Sequence, residues 1–136
     1  MLRLCCALLV LTACCGFRGA AVKDLSGDDD MSLFKLQTVR GMRDGDHLSV
    51  QAMLSDSSSV LSVDLRFLVG APTRLESGKW HYTGTSRMSI GDVTARSVTF
   101  LGGQDGPPSI GGSFDLLSPE GTPRYRVNIP VTVVKR

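Results

Sequence analysis

The end of the chain restricts the fold more than any other stretch. Tyr125, Val127, Ile129, Val131 and Val133 alternate with Arg124, Arg126, Asn128, Pro130 and Thr132, the period of two expected of a strand with one buried face. The same pattern runs through Leu48, Val50, Ala52 and Leu54, and again through Leu61, Val63, Leu65, Phe67 and Val69. No stretch carries the three-and-four spacing of an amphipathic helix. Weaker alternation predicts further strands around Phe34 to Val39, Lys79 to Thr83, Val93 to Leu101 and Ser113 to Leu117, for a total of about seven short strands with turns between them.

The punctuation agrees with this reading. Asp44-Gly45 suits a tight hairpin, because glycine accepts positive φ without steric cost, and the run Ser55 to Ser59 separates two strongly alternating stretches. The fold expected is all-β: an immunoglobulin-like antiparallel β-sandwich of about seven strands over residues 32–136. The paired cysteines of antibody domains are absent, so only the architecture is implied. Trp80 and Tyr82 are expected either as large core fillers or, by their alternation, on an exposed groove. Pro130 has no N–H, which predicts that the last strand lies at a sheet edge or carries a bulge there.

All four cysteines, Cys5, Cys6, Cys14 and Cys15, fall within the first fifteen residues. They sit in or beside a segment with one positive charge, Arg3, followed by the apolar run Leu4 to Ala13, the pattern of an export signal. About ten apolar residues are too few to cross a bilayer as a helix, which needs roughly 20. Leu11-Thr12-Ala13-Cys14 resembles the lipobox of bacterial lipoproteins. That resemblance implies removal of residues 1–13, acylation of Cys14, and sorting to the outer membrane with the domain facing the periplasm, since no Asp follows the acylated Cys. A rival cut after Ala21, with Gly19 and Ala21 as its small residues, implies simple secretion. Residues 14–31 read as a tether. The run Asp28-Asp29-Asp30 within it lacks the alternate spacing of a calcium loop, and adjacent Cys14 and Cys15 lack the spacer of a thioredoxin-like redox pair. The order "LSVQAMLSDSSS", "VDLRFLV", "MSIGDVTARSVTF" is similar to small lipoprotein sandwiches, which implies fold and no activity.

The chemistry is sparse. A net charge of +2 gives no reason to expect a nucleic-acid partner. His47 and His81 have no Cys or second His at ligand spacing, so neither a metal nor a cofactor is expected. Asp44, Asp46 and His47 form the one candidate acid–base cluster, the basis of an alternative reading as a small hydrolase. Gly102 to Gly112 lacks the Lys-Ser/Thr of a phosphate loop and reads as a long connection of the kind that often binds partners. Arg124 and Arg126 share one face of the last strand and, with Trp80 and Tyr82, form the candidate binding surface, suited to carboxylates or phosphates. The expectation is a non-enzymatic envelope lipoprotein, a binding or accessory module anchored to a membrane and serving an envelope protein partner.

Overall fold

A computed structural model describes residues 21–27, 30–85, 87–102 and 106–136. The export segment, Cys14, Cys15, Asp28 and Asp29 lie outside them. Eight strands form one antiparallel sheet curled into a half-barrel: β1 (Val22–Asp24), β2 (Lys35–Asp44), β3 (His47–Ser55), β4 (Val60–Leu68), β5 (Arg74–Thr83), β6 (Met88–Leu101), β7 (Ser109–Leu117) and β8 (Pro123–Val133). From β2 to β8 every strand pairs with its successor, and β1 joins at the outer side of β8. The expected all-β antiparallel domain is therefore present. Of the two-sheet sandwich only that much is shown, because the strands are continuous in a single sheet.

Short turns set this order. Gly45 has φ of 59°, the left-handed conformation that lets Asp44 pair directly with His47. Between β3 and β4, Asp56 Oδ1 accepts from Ser58 N at 2.9 Å and Ser59 N at 2.7 Å, an Asx turn of the kind that Asp stabilises.

The curl comes from β6. Its first five residues, Met88 to Asp92, pair with β5, and Val93 to Leu101 pair with β7. Where the strands part, Gly78 lies so close to Val93 that a Cβ there would sit 2.8 Å from that of Val93. The half-sheets on either side of this bend face each other across one core. Ring contacts join them: Trp80 meets Tyr125 edge-on at 5.6 Å between centroids, and Phe67 meets Phe114 at 6.1 Å. Each such pair contributes about 0.5–1.5 kcal/mol beyond its buried area. The far edge is drawn in as well. Gly41 N donates to Lys135 O at 2.7 Å and Lys135 N to Val39 O at 3.0 Å, a parallel bridge between β2 and the residues after β8.

Several boundaries differ from the sequence expectation. Val22–Asp24, inside the stretch read as tether, is a strand paired with Tyr125 to Val127, and Val22 is fully buried. The 102–112 connection is shorter than expected, since residues from Ser109 onward belong to β7. In β8 the alternation holds only to Ile129. Gly112 pairs with Ile129 and Ile110 with Thr132, so Pro130 and Val131 oppose Gly111 alone. This bulge turns the side chains over by one position. Val131 and Val133, expected inside, are 47% and 48% exposed, and Val134 takes the core position at 4%. Pro130 thus stands at a bulge, between the stretch of β8 that β1 covers and the bridge to β2.

Candidate binding groove

Four strands build a shallow groove on the outer surface. Across β2 to β5 the register aligns Arg40, Gln51, Asp64 and Lys79 in one row and Met42, Ser49, Arg66 and Ser77 in another. The row between them, Gly41, Val50, Leu65 and Gly78, is the inward-facing one, with Val50 and Leu65 buried, so its outer surface is bare backbone between two ridges of side chains. These residues and Arg136 enclose about 550 Å³.

The charges in this groove are unevenly matched. Lys79 is paired with Asp92 of β6. Arg66 lies 3.9 Å from Glu76, whose carboxylate also meets His47 Nε2 at 2.9 Å. Arg40 and Arg136 form no ion pair among the described residues, and Lys135 adjoins them through its bridge to Arg40. The Arg40 and Arg136 side chains are therefore left without an ion pair, and Asp64, two strands from Arg40, is the one carboxylate among the groove's lining residues. A guanidinium is planar and holds its charge at any physiological pH, so two of them with serine and glutamine beside them suit a carboxylate or phosphate.

The residues singled out in the sequence separate into different environments. Trp80 and Tyr82 are in the core, at 2% and 9% exposure. The alternative of an exposed groove for them is set aside, because they alternate onto the same inward face as Val63 and Leu61 of β4. Trp80 Nε1–H donates to Leu117 O at 2.7 Å, and Tyr82 Oη lies 3.2 Å from Ser59 Oγ. Arg124 and Arg126 do point outward from β8. Arg126 Nε donates to Asp115 Oδ1 at 2.9 Å, with Arg96 3.7 Å from the other carboxylate oxygen. Arg124 donates to Ser26 Oγ at 3.1 Å and lies over the Tyr125 ring. Both therefore already have internal partners.

Asp44 and Asp46 flank the β2–β3 turn and are exposed. The side-chain partner of His47 is Glu76, two strands away; Asp44 faces His47 through the backbone ladder, and no side-chain bond joins the three residues of the candidate acid–base cluster. Asp30 accepts from Ser32 N at 3.0 Å, and hydrogen bonds from the Ser32 side chain and backbone hold its carboxyl below the usual aspartate value. Among the described residues no group of three His, Cys, Asp or Glu side chains is placed to hold a metal, and no helix is long and apolar enough to cross a membrane.

Sequence reading missed Arg40, Gln51 and Arg136. The signal for Gln51 was present in the alternation of β3, which puts it opposite Val50 and Ala52. Arg40 belongs to the half of β2 beyond Val39, where glycine and three charged residues hide the pattern. No family model, curated protein or solved structure matches this chain.

Proposed function

We propose that the chain is an envelope lipoprotein, acylated at Cys14, whose folded domain is a non-enzymatic module that binds a carboxylate- or phosphate-bearing partner in the outer groove of β2 to β5. The anchor rests on Leu11-Thr12-Ala13-Cys14. The groove reading rests on one observation: Arg40 and Arg136 both line it and form no ion pair among the described residues. In this reading the domain works as a sandwich does, with the interior given to packing and the outer faces to ligands.

Each half has its own test. Growing cells expressing the protein are labelled with radioactive fatty acid. The native chain takes up label and a Cys14→Ala chain does not; label retained in the variant overturns the anchor. For the groove, citrate is titrated into the folded domain and followed by amide shifts. Shifts are expected around Arg40, Arg66 and Arg136 and are lost in an Arg40→Gln/Arg136→Gln variant. Equal shifts in the variant overturn the groove.

A further inference from the structure

The bend in β6 leaves a seam open. Residues Arg74 to Gly78 of β5 pair with β4 on one side. On the other side β6 has already departed, because its pairing with β5 ends at Asp92. Beyond Val93, β6 in turn pairs only with β7. Two strand edges therefore diverge from the Gly78–Val93 contact and face each other across a cleft of about 560 Å³. Strand edges present unpaired N–H and C=O groups, which is the template that an added strand uses.

The core is incomplete at this place. Leu75, Ala95 and Val98 belong to the inward set, since their register partners are Phe67, Phe114 and Gly112. Yet Leu75 and Val98 are only half-buried and Ala95 is exposed, whereas Val93 at the vertex is buried. On the outward side each edge carries a one-residue bulge, at Glu76 in β5 and Arg96 in β6. Bulged, charged edges resist flat pairing with whatever strand comes near. The two bulges are not electrically equal. Glu76 is engaged by His47 and Arg66, and Arg96 lies 3.7 Å from Asp115 with its side chain 53% exposed. With Arg74 also exposed, the outer side of the cleft has a positive surplus.

We infer that this seam accepts an extended peptide segment as an added strand, with apolar side chains at the alternate positions that face Leu75, Ala95 and Val98 and acidic ones at the positions between. Backbone pairing holds the segment, the incomplete core selects its inward side chains, and Arg74 and Arg96 select its outward ones. The site is separate from the outer groove and stands whether or not that groove binds anions.

The probe is an acetylated, amidated heptapeptide alternating Val and Glu, compared with its Val and Lys counterpart. Amide exchange and shifts are followed by NMR in the full domain. The Val/Glu peptide is expected to slow exchange at amides within residues 74–78 and 93–98. The Val/Lys peptide is expected to bind about tenfold or more weakly, and Arg74→Glu, at an exposed side chain with no ion pair among the described residues, narrows that difference while leaving the unfolding midpoint unchanged. Three results overturn the inference: no protection in those two segments, equal binding of both peptides, or protection already present without peptide in a dimer, which would assign the seam to a second copy of this chain.

Discussion

Gly41 tests how the half-barrel is held. A Cβ at that position would press on Ser49 O, a backbone atom of the neighbouring strand, and stand 2.9 Å from Val134 Cγ1. Ser49 O cannot turn aside as a side chain does, so Gly41→Ala must shift β2 against β3 or lift the tail of β8. Lifting the tail breaks the two hydrogen bonds of the bridge, Gly41 N to Lys135 O and Lys135 N to Val39 O, each a net contribution of about 0.5–1.5 kcal/mol. Overpacking at Val134, buried at 4%, costs about 1–3 kcal/mol. Reduced freedom of the unfolded chain returns about 0.4–1 kcal/mol. The net expectation is a loss of about 1–6 kcal/mol, read as a lower urea midpoint with unchanged slope. Exchange at the Lys135 amide should quicken more than exchange in β4. Gly45→Ala is the control: its Cβ meets nothing within 4 Å, so only the positive φ of 59° opposes it, at about 1–2 kcal/mol. If Gly41→Ala matches the native midpoint, or loses stability with no change at the Lys135 amide, the bridge does not hold the edge as argued.

Other outcomes follow from single contacts. Trp80→Phe removes the donor to Leu117 O and leaves a half-buried carbonyl beside a smaller ring; calorimetry should show a loss of about 2–3 kcal/mol, and a neutral result would mean the carbonyl finds water. Asp44→Asn with Asp46→Asn should change the unfolding free energy in urea by less than about 0.5 kcal/mol and leave the His47 ring shifts untouched, while a change at His47 would favour the acid–base cluster. Asp30 should titrate by NMR below an ordinary aspartate and move upward in Ser32→Ala. Its lowered pKa stabilises the fold above the unfolded value, a contribution lost as pH falls through the folded one, so a titration unmoved by Ser32→Ala removes the proposed cause.

Alternation made the strands legible where one face is buried and the other polar, as in β3, β4 and the first half of β8. It failed where a local irregularity intervened. The bulge at Pro130–Val131 reverses the faces of everything after it, and the sequence offered Pro130 as the warning without saying which of its two consequences applies. Met88, Ile90 and Leu101 of β6 are exposed although apolar, so the strand that bends the sheet shows the weakest pattern. A sheet bend is set by long-range pairing, with β5 on one half and β7 on the other, and neither partner is written in the residues of β6. β1 was hidden for a related reason: three residues cannot display a period, and Val22–Asp24 is a strand only because β8 has a free side at Tyr125 to Val127.

The same bend explains why the candidate sites lie on the outside. In a small curled sheet the interior is just wide enough for side chains to fill, and here Trp80, Phe67, Phe114 and Tyr125 meet across it. Arginine placement reports the consequence. Arg126 is tied to Asp115 and Arg124 to Ser26, both on strands beside β8 or next to β1, so the pair that sequence pattern picked out is committed to holding β8 to its neighbours. Arg40 and Arg136 come from opposite ends of the folded chain and are brought together only by closure at Gly41. A period-of-two argument can place two residues of one strand on a common face, as it did for Arg124 and Arg126. It cannot see a site whose members are joined by the closing of the sheet, and the groove end at Arg40 and Arg136 is such a site. Opening that closure with Gly41→Ala should therefore weaken citrate binding at the groove as well as stability, whereas the seam between β5 and β6, three strands from Gly41 and adjoining the groove only at Ser77 and Gly78, should keep its peptide.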